Sequence, residues 1–421
     1  MPRYNRVVRL LGLLALALLS ACQSGSSLGQ GLGPILDPIP AYPVPSCAID
    51  PSPIATSLLV GFSGDDVTAS KPGFQLRYEY IAGALSPSAA CIAPGRAKAQ
   101  GCGTDWWGTW QWDQDPPGAF VRGFVADAET AHLLPMLSYY VILPASGVTE
   151  GAPEVTQAAR DPAFLRRYLN DFRFLLIQLG CHRALVHIEP DFWGYAQQEA
   201  VRTGGNASTL PAAVRDANPA DCSGETDTIA GLGRCMVAMV RKWAPNAKVG
   251  LHASGWGTQF DCILNRDASL DVSAKGSETA AFLDPAGVAS SDFVAVDIAD
   301  RDAGWRESQG QNTWINATST LPSYAQAFAW SRALATGTGK PLLWWQVPVG
   351  NMDLPNTTSQ WHDNKVAYFF DHPDLVVAGG AIGIAFGAGA SGQTTPETDG
   401  GYLWQRAASL AVAGGQPLPG P

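Results

Sequence analysis

Short apolar runs recur along residues 56–416, and each ends in Gly, Asp, Ser or Pro. Each run holds four to seven apolar or β-branched residues, which is typical of a buried β-strand. Eight stretches have this form, namely 57–66, 75–83, 134–142, 184–191, 248–256, 293–302, 341–350 and 380–389. Near-continuous apolar runs, rather than alternating ones, predict strands that are covered on both faces.

Stretches with helical periodicity separate most of the predicted strands. Apolar residues recur at three- and four-residue spacing, and Asp161 before Pro162 predicts the N-cap of one helix. The helical stretches are 161–180, 227–245, 321–337 and 362–376. Eight strand-and-helix units in about 350 residues favour a single (β/α)8 barrel over an open doubly wound sheet. We expect long loops after strands two, four and five. No GxGxxG motif follows the first predicted strand and no GxxxxGK[ST] motif occurs, which weakens the nucleotide-binding alternatives.

The first 22 residues have the form of an export signal. A basic start, with Arg3, Arg6 and Arg9, precedes an apolar stretch that is too short to span a bilayer. The following "LLSAC" resembles the lipobox of bacterial lipoproteins. That resemblance implies a signal peptide over 1–21 and a lipid on Cys22, which would tie the chain to a membrane. Because no Asp follows Cys22, it also implies the outer membrane or cell surface of the bacterial envelope.

Residues 22–55 are rich in Ser, Gly and Pro and predict a disordered tether, which leaves 56–421 as the barrel domain. The formal net charge is −10, and it becomes −13 without the three arginines of the signal (−10 − 3). Such an acidic chain is not expected to bind nucleic acid or anionic lipid head groups.

The chain has eight cysteines, of which seven remain besides Cys22. In an exported protein they are expected to form disulfides. The candidate pairs are Cys91 with Cys102, Cys222 with Cys262, and Cys181 with Cys235, which leaves Cys47 over. The connectivity stays open. No zinc spacing, EF-hand loop or HExxH motif occurs, so we predict no metal and no cofactor.

The fourth predicted strand ends in "HIEPDFWGY", where two carboxylates precede aromatic residues. The active sites of (β/α)8 barrels lie at the C-terminal ends of the strands. Alternation along the strand predicts that His187, Glu189 and Asp191 share one face and stack toward the opening. A barrel with a carboxylate after strand four resembles the barrel glycoside hydrolases over most of 56–416. The resemblance implies that Glu189 is the general acid.

Glycoside cleavage requires a second carboxylate. The candidates at strand ends are Asp65, Asp66, Asp191, Asp297, Asp300, Asp302 and Asp399. Asp297 is favoured as the second carboxylate, because a charged residue inside the apolar run "VAVDIAD" is costly to bury and is therefore expected to have a function. Asp191 is the alternative. The resemblance implies a glutamate nucleophile after strand seven, but this chain has Gln346 there. A water-mediated inverting reaction is therefore slightly favoured, with carboxylates about 6.5–9.5 Å apart rather than roughly 5–5.5 Å.

Aromatic residues near the predicted opening fit the apolar faces of sugar rings. The predicted substrate-binding residues are Tyr139, Trp193, Trp256 and Trp345, with Asp66, His252 and Gln346 as polar partners. Four more tryptophans lie in "DWWGTWQWDQD" (105–115). Structural roles stay open for each of these residues: Glu189 as a satisfied buried carboxylate, Asp65 and Asp66 as helix caps, His252 as a barrel histidine, and single tryptophans as core.

These observations predict a glycoside hydrolase of the cell envelope that cleaves a poly- or oligosaccharide. Gln346 in place of the strand-seven nucleophile keeps open a second class, a sugar-binding barrel lipoprotein without catalysis. A third class is a structural envelope protein with no cleft. The sequence indicates no protein partner.

Overall fold

The computed structural model describes residues 43–83, 85, 118–299 and 301–419. In this part of the chain, eight parallel strands form one closed barrel in sequence order. They are β1 (Leu59–Phe62), β2 (Leu76–Ala82), β3 (Leu134–Tyr140), β4 (Leu185–Ile188), β5 (Lys248–Ala253), β6 (Phe293–Val296), β7 (Leu342–Val347) and β8 (Ala381–Phe386). The barrel closes where Leu59 pairs with Gly383 and Phe62 with Phe386. The predicted (β/α)8 barrel is confirmed.

Helices connect the strands and form the outer layer. They are α1 (Asp66–Ala69), α2 (Ala119–Thr130), α3 (Ile142–Ser146), α4 (Ala152–Ala158), α5 (Pro162–Leu179), α6 (Phe192–Thr203), α7 (Val214–Ala217), α8 (Pro219–Cys222), α9 (Ile229–Trp243), α10 (Val272–Leu283), α11 (Ala303–Ser308), α12 (Tyr324–Thr338), α13 (Lys365–Asp371), α14 (Pro373–Ala378) and α15 (Tyr402–Val412). Two 3₁₀ turns, Asp284–Ala286 and Val288–Ser290, follow α10. No described helix has both the length and the apolar character needed to cross a membrane.

Helix starts follow the capping residues of the sequence. Asp161 accepts a hydrogen bond from the Ala163 amide at 2.8 Å and Pro162 takes the first helical position, as predicted for α5. Asp65 caps α1 by accepting from the Thr68 amide at 2.8 Å, which confirms the structural alternative for that residue.

The strands separate two apolar layers. The larger layer lies between the barrel and its helices. The smaller layer fills the barrel interior with one residue or more from most strands, including Leu59, Leu76, Met136, Leu185, Phe293, Leu343 and Ala385. The interior is therefore a packed floor, and polar side chains can collect only above it, toward the C-terminal ends of the strands.

Both ends of the described chain lie at the opposite, N-terminal end of the barrel, which we call the base. Residues 43–55, which their composition assigns to the tether, pack there: Ile54 and Ala55 contact the interior layer. Asn246 donates to the Ala48 carbonyl at 3.0 Å. At the other terminus, Ser57 pairs with Pro417. Specific contacts thus override the tether-like composition of 43–55.

Disulfides join Cys47 to Cys181 and Cys222 to Cys235, while Cys262 is free and buried. The candidate pairs Cys222–Cys262 and Cys181–Cys235 are therefore wrong. The segment around Cys47 docks on the base and brings its thiol to Cys181, and Cys235 pairs instead with Cys222. The signal over 1–21, Cys22, the pair Cys91–Cys102, the tryptophans of 105–115 and Asp300 lie outside the described residues.

Candidate active site

A group of polar and aromatic side chains, which we call the chamber, lies above the interior layer at the C-terminal ends of the strands. Strand alternation turns Tyr80, His187, His252 and Trp345 inward from four different strands. The Trp345 ring centroid lies 5.2 Å from that of Tyr80 and 4.8 Å from that of His187, and both contacts are edge-on. Trp345 is only 4% exposed, so it forms the wall beneath the polar groups. His252 and Trp345 thus lie where the sequence predicts them.

Two histidines cross the chamber in a chain of contacts. Ser138 Oγ lies 3.1 Å from His187 Nδ1, and His187 Nε2 lies 3.1 Å from His252 Nδ1. His252 Nε2 in turn lies 3.3 Å from Asp297 Oδ1, just after β6. Both rings are buried. Burial, and next the neighbouring His252, hold the pKa of His187 well below its ordinary value, so His187 is neutral.

Asp191 shares this environment. Its carboxylate accepts a hydrogen bond from the Tyr140 hydroxyl at 3.1 Å. Burial raises the pKa of Asp191 from 3.8 to about 6; attraction by His252 lowers it, repulsion from Asp297 raises it, and the Tyr140 hydrogen bond lowers it. Asp191 and Asp297 are therefore close enough for their negative charges to repel each other. The Asp297 side chain is 21% exposed, which leaves it accessible to water.

Glu189 does not lie on the same face as His187. Its carboxylate is fully buried and accepts from the amides of Val141 at 3.0 Å and Ile142 at 3.2 Å. The hydroxyl of Tyr168, on α5 outside the barrel, also hydrogen-bonds to it. The predicted stack of His187, Glu189 and Asp191 is wrong because β4 ends at Ile188. Glu189 (φ 53°) and Asp191 (φ 67°) then adopt left-handed backbone angles, which break the alternation.

This position assigns Glu189 a structural task, namely binding the first amides after β3. Burial raises the pKa of Glu189 from 4.5 to about 8, against the lowering effect of those amide hydrogen bonds. These contacts do not favour the predicted role of Glu189 as general acid, because every group that binds its carboxylate belongs to the protein interior. Asp191 takes the place in the chamber that alternation would have given to Glu189.

We expect the stability of Glu189→Gln to differ from that of the wild type in a pH-dependent way. Because the pKa of Glu189 is higher in the folded protein than in the unfolded chain, protonation of Glu189 stabilises the fold. This stabilisation is complete below pH 4.5 and is lost as the pH rises through about 8. Glutamine does not titrate. The wild type should therefore lose free energy of unfolding relative to Glu189→Gln, on the order of 1–3 kcal/mol, between pH 5 and pH 8.5. Urea denaturation at both pH values measures this, and a constant difference would contradict it.

Three predicted substrate-binding residues lie outside the chamber, which corrects their expected position. Trp193 is 1% exposed on α6 and donates to the Ile188 carbonyl at 3.0 Å. Tyr139 points outward from β3 and donates to Asp171 at 2.9 Å. Asp66, the first residue of α1, pairs with Arg77 at 2.8 Å. Tyr139 faces outward because its neighbours Ser138 and Tyr140 face inward.

Trp256 and Tyr195 form a partly exposed aromatic pair beside the chamber. Their ring centroids lie 4.8 Å apart, and the Tyr195 hydroxyl donates to Glu150 at 2.6 Å. Trp256 follows β5 and Tyr195 belongs to the first turns of α6, so both stand at C-terminal strand ends. Of the predicted tryptophans, Trp256 has the position that best fits a sugar-stacking surface.

Gln346 meets Tyr80 across the chamber, and the Tyr80 hydroxyl donates to its Oε1 atom. Gln346 has a φ of 54°, and the pairing of β7 with β8 shifts register between Trp344 and Val347. Sequence reasoning did not identify Tyr80. Its signal was present, because Tyr80 continues the inward-facing series of Leu76 and Tyr78 along β2.

The remaining strand-end carboxylates hold loops together. Asp302 accepts from the amides of Thr394 at 2.8 Å and Gly350 at 3.3 Å, and thereby ties the loops after β6, β7 and β8. Burial raises the pKa of Asp302 to about 7. A fully buried ion pair, Lys365 with Asp363 at 2.9 Å, lies against the same loops.

Asp399, the last of these carboxylates, accepts from the Leu403 amide at 2.6 Å at the start of α15. Within residues 43–83, 85, 118–299 and 301–419, no group of three or more His, Cys, Asp or Glu side chains is arranged to hold a metal ion.

No protein-family model and no curated protein matches this chain. Similar solved structures include the endoglucanase Cel6 from Mycobacterium tuberculosis (14% identity, TM-score 0.30, covering 56% of this chain and 60% of that one). A modular endo-β-1,4-mannanase from Cellulomonas fimi is 12% identical, with a TM-score of 0.44, over 84% of this chain and 70% of that one. XEG5B, a GH5 xyloglucan-specific β-1,4-glucanase from a ruminal metagenomic library, is 13% identical, with a TM-score of 0.44, over 84% and 86%.

The chain thus spans less than two thirds of the Cel6 chain. At this level of similarity neither fold nor reaction is transferred. The fold rests on the strand pairing described above, and the function has to be argued from the residues of the chamber.

Proposed function

We propose that this protein is a glycoside hydrolase that cleaves a poly- or oligosaccharide, with Asp191 as general acid and Asp297 as its partner. The observation that carries the proposal is that Asp297, 3.3 Å from His252, and Asp191, whose pKa responds to the charges of both His252 and Asp297, stand above a closed barrel floor. Two carboxyl groups that differ in environment are what glycoside cleavage needs: one protonates the leaving oxygen, and the other activates water or attacks carbon.

The environments of the two carboxylates support this division of roles. Asp191 has a pKa of about 6, so a useful fraction stays protonated in weakly acidic solution, and the Tyr140 hydroxyl orients it. Asp297 keeps one oxygen against His252 while its side chain retains access to solvent. It is thus the group that can bind and activate water.

Stacking and polar groups complete the proposed substrate site. Trp256 and Tyr195 offer aromatic surface at the rim of the chamber, and sugar rings present apolar faces to such surfaces. Gln346 and Tyr80 offer amide and hydroxyl groups to sugar hydroxyls deeper in the chamber.

We also propose that the reaction inverts the anomeric configuration. The position at the end of β7 that would hold a nucleophilic glutamate carries Gln346, whose amide cannot attack, and we assign to Asp297 the activation of water rather than direct attack. ¹H NMR of the first product formed distinguishes the two outcomes. A product anomer opposite to the substrate supports inversion, and the same anomer would require a covalent intermediate.

The proposed activity is tested by incubating the soluble chain with bacterial and plant polysaccharides and measuring reducing-sugar release. Release from at least one polymer supports the hydrolase. Binding of a polymer by affinity electrophoresis, with no release from any of them, would replace it with the sugar-binding barrel that Gln346 keeps open. Neither binding nor release would favour a structural envelope protein.

For the location, we propose a lipid anchor on Cys22 at the bacterial envelope, on the basis of the lipobox-like "LLSAC". Metabolic labelling with a radioactive fatty acid should mark the full chain. Labelling that persists in Cys22→Ala would overturn the anchor.

A further inference from the structure

We infer that Glu150, Gly194 and Tyr195 hold the Trp256 ring as a preformed platform for one sugar ring beside Asp191. The inference deepens the proposed function and rests on it, because the ligand of the platform is a sugar only if the protein binds saccharides. Trp256 and Tyr195 are assigned contact with the sugar. Glu150 and Gly194 act through these two rings and are positioning residues.

Glu150 fixes the outer end of the Tyr195 side chain. It lies exposed in the loop between α3 and α4, and its Oε1 atom accepts from the Tyr195 hydroxyl at 2.6 Å. A hydrogen bond to a carboxylate is stronger than one between neutral groups. Burial, followed by the hydrogen bond and the charge of Glu150, raises the pKa of Tyr195, so its hydroxyl stays protonated and donates. The Tyr195 ring is therefore held at both ends, by α6 and by the loop after β3.

Gly194 gives the Trp256 ring its space against α6. A Cβ atom at position 194 would lie 2.6 Å from Trp256 Cη2 and 2.8 Å from Cζ3, which is closer than carbon atoms pack. Tyr195 packs its ring against Trp256 with a centroid distance of 4.8 Å and an interplanar angle of 53°. Gln198 donates to the Trp256 carbonyl at 3.2 Å. Helix α6 therefore fixes both the ring of Trp256 and its backbone.

The same helix begins at the proposed general acid. Asp191 is the N-cap residue of α6, and the Tyr195 amide donates to the Asp191 carbonyl at 2.9 Å. The two residues are thus one helical turn apart, about 5.4 Å along the axis. The charge of Asp191 is also among the causes that raise the pKa of Tyr195, so the Asp191 carboxyl group lies near that hydroxyl. A sugar ring on the platform would therefore lie beside Asp191.

These contacts make the platform rigid before a sugar arrives. Binding orders side chains at a cost in conformational entropy, and rings that the protein already holds avoid part of this cost. Trp256 and Tyr195 both keep part of their surface exposed, so the pair is fixed and accessible at the same time. Loss of the Glu150 carboxylate, or of the space at position 194, should therefore weaken sugar binding although neither residue contacts the sugar.

Affinity electrophoresis at 4 °C tests the platform without relying on cleavage. The probes are hydroxyethyl cellulose, galactomannan and laminarin, which are neutral polymers, because Glu150 and Asp191 place two carboxylates beside the rings. Glu150→Ala and Tyr195→Phe should each raise Kd about 3- to 10-fold. Trp256→Ala should raise Kd at least about 10-fold, and Gly194→Ala should come close to it because the ring has to shift. Glu150→Gln keeps an oxygen acceptor and should restore most of the affinity.

A double variant isolates the hydrogen bond between Glu150 and Tyr195. If Glu150 acts through the Tyr195 hydroxyl, Glu150→Ala combined with Tyr195→Phe should bind no more weakly than either single variant. Additive losses would overturn the positioning role of Glu150. Glu129→Ala is the matched control, because Glu129 pairs with His182 at 2.8 Å at the base of the barrel, and its Kd should equal that of the wild type. Thermal melting shows which variants are folded.

Kinetics and binding together keep two failures apart. In an active enzyme KM should rise by about the same factor as Kd while kcat changes less, because the platform binds ground state and transition state alike. Unchanged Kd and KM in folded Glu150→Ala and Gly194→Ala would overturn the platform and leave the proposed hydrolase intact. A wild type that binds a polymer without cleaving it would overturn the hydrolase, and the Kd values then decide on the platform. If the wild type neither binds nor cleaves any of the three polymers, both fall.

Discussion

Asp191→Asn is expected to lower kcat by about 10²–10⁴-fold with little change in KM, because an amide cannot protonate the leaving oxygen. The wild type should also lose activity as the pH rises above about 6, since the general acid works in its protonated form and the pKa of Asp191 is about 6. That falling limb should be absent from the residual activity of Asp191→Asn. Initial rates of reducing-sugar release over pH 4–9 measure both effects.

Glu189→Gln is the matched control for this experiment. It makes the same change from carboxylate to amide two residues earlier in the chain, at a group that binds the Val141 and Ile142 amides instead of facing the chamber. We expect its kcat to stay close to that of the wild type. Loss of activity in folded Glu189→Gln, together with an active Asp191→Asn, would return the general acid to Glu189.

Removal of the Cys47–Cys181 disulfide is expected to lower the free energy of unfolding by about 5 kcal/mol in the loop-entropy model. The two cysteines are separated by 134 positions, so the crosslink restricts a long loop of the unfolded chain. Urea denaturation of the variant with both residues changed to Ser measures the loss. The matched control removes Cys222–Cys235, with a separation of 13, for which the same model gives about 3 kcal/mol. An equal or reversed order would contradict the loop-entropy explanation.

The strands were predictable because burial on both faces leaves a plain signal, an apolar run that ends in turn residues. Position along a strand also predicted that several side chains enter the chamber where the strand continues regularly, although Tyr139 on β3 was assigned to the wrong face. His252 on β5 and Trp345 on β7 are examples, and Asp297 follows the same inward series after Phe293 and Ala295 on β6.

The same rule fails where the backbone leaves the extended conformation. Glu189, Asp191 and Gln346 all have positive φ angles, which non-glycine residues rarely adopt. The pattern of apolar and polar residues does not predict such backbone angles. After β4 this exchanges the directions of two carboxylates, so Asp191 rather than Glu189 turns toward the chamber. Strained backbone at three residues near the chamber is in keeping with a functional site.

The disulfides were not predictable for a different reason. Pairing depends on which segments meet in space, and Cys47 reaches Cys181 only because 43–55 docks on the base of the barrel. Composition alone assigned that segment to the tether.

The packing of residues 43–55 on the base also determines how the barrel is oriented when the protein is attached to a surface through a terminus. Ser57 pairs with Pro417 at the base, Cys47 is joined there to Cys181, and the chamber lies at the opposite end of the barrel. Attachment through either terminus, whether by a lipid, a resin or a fused reporter, would point the opening toward the solution.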